Sequence, residues 1–141
     1  MFRSFVLAAS VALSSAPVSA DEKANKALVV LQGQWKVEKI VAAGEQVSAE
    51  DTAKLTFTFK DNQMIPSDNP KDVATVKLDP DRKPTWFDVT DRAKETMLGV
   101  YELSGDTLKI CLADPGAERP KGFGSAKGSK TTYMVLKRAS K

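Results

Sequence analysis

The chain has 141 residues, 42% hydrophobic and 28% charged, enough for one globular domain. Its formal net charge of +3 is too small to steer it toward nucleic acid or an anionic membrane surface. It contains no histidine, which removes Ser-His-Asp and Cys-His catalysis, histidine-ligated zinc and the commonest general base.

The first stretch reads as a leader. Arg3 supplies a positive start, Phe5 to Leu13 an apolar run too short to span a bilayer, and Val18-Ser19-Ala20 a small-x-small cleavage site. The expectation is a signal peptide over residues 1–20, export to the periplasm or the extracellular space, and a single domain over 21–141 with no membrane span. No cysteine follows the cleavage site, so a lipid anchor is not expected. Residues 21–26 are polar and read as a frayed lead-in, with one or two helical turns over 24–31.

Leu31 to Ile40 reads as a strand with Trp35 and Val37 on one face, and Ala42-Ala43-Gly44 ends it. Ser48 before Glu50 and Asp51 predicts a short helix, because a hydroxyl caps free N–H groups and acids suit a helix start. KLTFTFK (54–60) alternates cleanly, with Leu55, Phe57 and Phe59 on one side. Residues 63–65 are a short partner, 73–78 a strand with Ala74, Val76 and Leu78 inward, and 85–90 another. In that last strand either Phe87 and Val89 or Trp86 and Asp88 face inward.

Met97 to Leu112 predicts a β-hairpin. Gly105-Asp106 suits a two-residue loop, since Gly tolerates the positive φ of the first turn position. That register sets Leu103 opposite Leu108, Tyr101 opposite Ile110 and Gly99 opposite Leu112 on an apolar face. Ser104 and Thr107, Glu102 and Lys109, and Val100 and Cys111 pair on the other. Cys111 is the chain's one cysteine, so no internal disulfide can form. Beside Val100 it reads as buried and inert. Residues 113–130 form a long Gly- and Pro-rich loop with Arg119, Lys121, Lys127 and Lys130, placed to fold over a barrel mouth. TTYMVLKR (131–138) is the last strand.

Seven or eight short strands joined by polar turns, with little helix, predict an all-β fold: a small antiparallel up-and-down β-barrel. Closure removes the edges that such a sheet must otherwise protect. Gly33-x-Trp35 on the first strand and Arg138 on the last resemble the lipocalin signature. There the tryptophan closes one end of an eight-stranded barrel and a late arginine stacks over it, a cation–π contact tying first strand to last. A longer set carries the resemblance further. It comprises Leu31-x-Gly33-x-Trp35, Leu78-Asp79-Pro80 with Pro84 and Asp88, Gly99-Val-Tyr101-Glu-Leu, and Gly105-Asp-Thr-Leu108-Lys-Ile-Cys111. Arg119-Pro120-x-x-Phe123 and Leu136-Lys-Arg138 complete it. This set resembles a family of uncharacterised secreted lipocalin-like domains common in planctomycete bacteria, with residues 43–72 matching least. The resemblance implies a small barrel outside the cytoplasm, with Gly33, Trp35, Gly99, Cys111 and Arg138 as structural signature; it implies no activity.

Asp79 and Asp81, and Asp88 and Asp91, read as solvated turn acids, since no calcium-loop spacing or paired catalytic acid is present. No catalytic residue, metal or cofactor is expected. Phe87 and Tyr101 are candidate ligand contacts inside the barrel, where aromatics also serve simply as core. Arg119 is the third candidate, either binding a carboxylate or phosphate head group bidentately or anchoring the loop to an acid such as Asp88. The functional expectation is an exported, non-enzymatic binding module for a small apolar ligand. The other reading is a cell-envelope protein-interaction module with a packed barrel, acting through residues 113–130.

Overall fold

Twelve elements succeed one another in the computed structural model, which describes residues 20–140. The leader expected over 1–20 lies outside the described residues but for Ala20. The elements are α1 (Ala20–Leu31), β1 (Gly33–Ala42), β2 (Glu45–Gln46), α2 (Ala49–Ala53), β3 (Thr56–Lys60) and β4 (Gln63–Pro66). Then come β5 (Ala74–Asp79), β6 (Thr85–Thr90), β7 (Thr96–Met97), β8 (Gly99–Ser104), β9 (Thr107–Ala113) and β10 (Thr131–Ser140). β2 and β7 are two-residue flaps on β1 and β6; the other eight of the ten strands form a closed antiparallel barrel in sequence order, with β10 pairing back onto β1.

The closing seam is the longest ladder. It runs from Gln34 opposite Ser140 to Ala42 opposite Thr132, with register shifts at Gln34/Trp35 and Val37/Lys39. Such irregularities add local twist and bend, and they let β1 pair with β10 on one side while Gly33–Lys36 pairs with β3 on the other. The β8–β9 hairpin has the register its alternation dictates, from Gly99 opposite Leu112 to Ser104 opposite Thr107. Gly105 takes φ +60° at the turn.

Alternation also sets the core. Trp35, Val37, Phe59, Phe87, Leu108, Ile110 and Leu136 point inward and are fully buried. Each such burial contributes roughly 1.5–3 kcal/mol. The Phe87 ring meets Phe59 at 6.2 Å and Tyr101 at 5.7 Å, both edge-on. In β6 Phe87 and Val89 therefore take the inside, and Trp86 and Asp88 the outside.

Two segments differ from the sequence expectation. The lead-in is not frayed: residues 20–31 are one helix. Ala27, Leu28 and Leu31, at i, i+1 and i+4, pack on the core, and Lys23 reaches Asp81 at 3.2 Å, so tertiary contact overrides a polar local sequence. The loop 114–130 does not cover a barrel mouth. It lies along the outside, over a stripe set by register: Trp86 opposite Val100, Val100 opposite Cys111, Cys111 opposite Tyr133, and Tyr133 opposite Val41. An outward row of large apolar side chains needs a cover, and the loop is that cover.

Candidate binding site

One end of the barrel is sealed. Gly33, at φ +110°, turns the chain from α1 into β1, and Trp35 follows with its indole wholly buried. The Trp35 Nε1–H donates to the Leu31 carbonyl at 2.8 Å, and Leu31 is itself buried in the core. The Arg138 guanidinium lies 4.2 Å from the Trp35 ring centroid. It also donates to the carbonyls of Val30 (2.9 Å) and Gln32 (3.2 Å) at the helix end, where free carbonyls and the helix dipole favour a cation. First strand, last strand and helix thus meet at one arginine, and the helix lies over the buried indole.

The other end is open. A half-open cleft of about 350 Å³ enters the barrel between β3–β4 and the ends of β9 and β10. Leu55, Phe57 and Met64 form one wall, and Val89, Leu112 and Met134 the floor and opposite wall. Met97, on the flap β7, closes the side. Three of the chain's four methionines line this space, Met1 being the fourth. Methionine is unbranched and polarisable, the side chain best suited to a wall that adapts to its contents.

The rim of the cleft is acidic. Asp68 and Asp72 come from the β4–β5 loop and Asp91 from the end of β6. The two loops are held together by Arg92, whose Nη1 donates to the Lys71 carbonyl at 3.1 Å. The Asp91 carboxylate accepts from the Glu95 N–H at 3.0 Å. No lysine or arginine lines the cleft. These acids do not converge as a metal site, and no such cluster of three or more ligating side chains occurs among the described residues.

The residues singled out from sequence fall in three places. Phe87 and Tyr101 sit in the packed core, and neither lines the cleft. Burial pushes the Tyr101 hydroxyl up from its ordinary pKa. Arg119 is on the outside. It pairs with Asp88 through both guanidinium Nη atoms, the second at 3.2 Å, and donates to the Gly99 carbonyl at 2.8 Å. Its guanidinium lies 3.8 Å from the Trp86 ring centroid and that of Arg82 lies 4.3 Å from it. Two cations that close to one ring take opposite faces, so Trp86 is sandwiched. Asp88 is therefore not a solvated turn acid; it holds the loop strap.

Cys111 is fully buried under that strap, with its thiol donating to the Gly124 carbonyl at 3.3 Å. Burial pushes its pKa up, by more than the Gly124 backbone lowers it. Gly99 is required by crowding. A Cβ there would lie 2.5 Å from Leu112 Cδ2, 2.6 Å from the Cys111 carbonyl oxygen and 2.7 Å from that of Phe87.

No family model, no curated protein and no solved structure matches this chain. The sequence reading missed the cleft walls: Met64 of β4, Met97 of β7 and Met134 of β10 lie far apart in the chain and come together only across the barrel. The acidic rim gave no local signal, because Asp68, Asp72 and Asp91 belong to ordinary turn sequences. Among the described residues, no helix is long and apolar enough to cross a membrane.

Proposed function

We propose that this chain is an exported, non-enzymatic binding module of lipocalin-like build that takes a small apolar ligand in the open end of its barrel. The observation that carries the reading is the cleft: about 350 Å³ of space walled by aliphatic, aromatic and thioether side chains, opposite a sealed end. That volume lies at the small end of the range typical of ligand pockets. At the ~30 Å³ a water occupies in the liquid, it suits about a dozen non-hydrogen atoms. The Trp35–Arg138 stack supports the lipocalin-like part of the reading, and the sequence of residues 1–20 supports export. The missing histidine removes the commonest general base, and the one thiol is buried with its pKa raised; both support a binding role over catalysis.

The test is fluorescence titration with the neutral probe N-phenyl-1-naphthylamine, whose naphthyl ring matches the cleft volume while its phenyl ring is left in the open mouth of the cleft. Saturable enhancement at micromolar protein, abolished in an Ala74→Phe variant that melts like the parent, is the expected result. Ala74 lines the cleft from β5, so a ring there fills it. No saturable signal, or equal binding by the filled variant, overturns the reading. The second reading, an envelope interaction module, draws on the exposed Lys121, Lys127 and Lys130 of the loop strap. It is favoured only if the probe finds no cleft.

A further inference from the structure

We propose that the cleft selects amphiphilic cations: ligands with an apolar body of about ten carbons and a protonated amine or quaternary ammonium head. This deepens the binding reading above and rests on it. The argument is charge complementarity. Every charged side chain that lines the cleft is a carboxylate: Asp68, Asp72 and Asp91. The apolar walls lie below them, so a bound chain points its head at the rim. Lys71, Arg92 and Lys94 occupy the same loops but do not line the space. Arg92 is spent in part on tying those loops together, through the Lys71 carbonyl.

The three acids differ in how free they are. Asp91 accepts the Glu95 N–H and shapes its own turn. Asp68 and Asp72 are exposed on the rim and are the pair available to a ligand head. Their spacing does not make a metal site. A diffuse carboxylate rim over an apolar cleft suits a bulky, weakly hydrated ammonium carried on a hydrocarbon stem better than a bare metal ion. An anionic head, as on a fatty acid, meets repulsion at the same rim.

The experiment compares three ligands of nearly equal shape: decylammonium, decan-1-ol and decanoate. Each displaces N-phenyl-1-naphthylamine from the intact protein at low ionic strength. Decylammonium should bind about tenfold more tightly than decanoate, with decanol between, as expected for two or three exposed carboxylates acting together. The preference should shrink several-fold in Asp68→Asn/Asp72→Asn and at high salt, because exposed charges are screened. Decanol affinity should not move in that variant, which keeps the cleft intact. Decanoate binding as tightly as decylammonium, or a preference untouched by the double substitution, overturns the cation assignment and leaves the apolar cleft standing. Failure of all three to displace the probe overturns the cleft reading with it.

Discussion

Arg138→Met tests the sealed end most directly, because methionine keeps an apolar stem over the indole and deletes only the cation. The arginine makes four kinds of contact. Its guanidinium stacks on Trp35 at 4.2 Å, worth about 1 kcal/mol at a half-buried position. Its bond to the Gln32 carbonyl at 3.2 Å, from a charged donor, contributes about 1.5 kcal/mol. The bond to Val30 at 2.9 Å lies at the surface, where water replaces it, and contributes about 0.5 kcal/mol. The ion pair with Asp106, whose side chain is 73% exposed, contributes close to nothing. The loss is about 3 kcal/mol, or roughly 10 °C of melting temperature for a domain of this size. Calorimetry measures the shift, and hydrogen exchange of the Trp35 indole N–H locates it, since that proton bonds to Leu31 at the helix end. An unchanged melting temperature would refute the reasoning, as would full rescue by Arg138→Lys, which cannot stack and bridge two carbonyls at once.

Two further outcomes follow from the strap and the crowded strand. Gly99→Ala should destabilise by about 2 kcal/mol or more, since two of the three atoms its methyl meets, at 2.6 and 2.7 Å, are backbone oxygens that cannot swing away. Denaturant unfolding with an unchanged midpoint would contradict this. Cys111 and Tyr101 both have pKa values raised by burial, so the unfolded chain gives up these protons at lower pH than the folded one. Their stabilisation is complete below the ordinary thiol value of 9.0 and drains away above it until pH passes the raised folded value, with Tyr101 adding its share above 10.0. Cys111→Ser should lose less stability than the parent between pH 8 and pH 10, and the native thiol should react with a disulfide reagent far more slowly than in urea. Fast native labelling would place the thiol in the open.

Strand positions and the barrel were legible because period-2 alternation and turn chemistry agree almost everywhere. KLTFTFK and the 97–112 hairpin each state a register that the sheet then uses, whereas TWFDVT leaves its facing open and the packing of Phe87 on Phe59 and Tyr101 decides it. The helix cap was equally local: Ser48 Oγ accepts the Asp51 N–H at 3.2 Å. Apart from the Trp35–Arg138 stack and the Arg119–Asp88 pair, sequence did not carry what is decided across the barrel. Residues 20–26 are helical through packing and an ion pair with Asp81, 58 positions away from Lys23. The strap over the outside of the barrel follows from the cross-strand row Trp86, Val100, Cys111, Tyr133, Val41, whose members are scattered along the chain. The cleft was unreadable for the same reason, its acids and methionines meeting only once eight strands close.

Why the cleft lies where it does follows from the same register. An eight-stranded barrel encloses just enough space for its own side chains, so a void forms only where the inward residues are small or absent. At the sealed end the inward positions hold Trp35, Phe59, Phe87 and Leu108, with Leu31 added from the helix. At the open end β5 offers only Ala74, and β6 only Val89, while β10 offers a flexible Met134. The seam beside Ala74 is also short: β4 and β5 pair at Gln63 with Thr75 and at Met64 with Ala74, and nowhere else. The β6–β8 seam is as short, but Arg119 bonds Asp88 on one side of it and Gly99 on the other, so the β4–β5 seam is the easier place for the barrel to open locally. Both the room for a ligand and the way in are therefore set by where β5 begins and by the single methyl it points inward at this end.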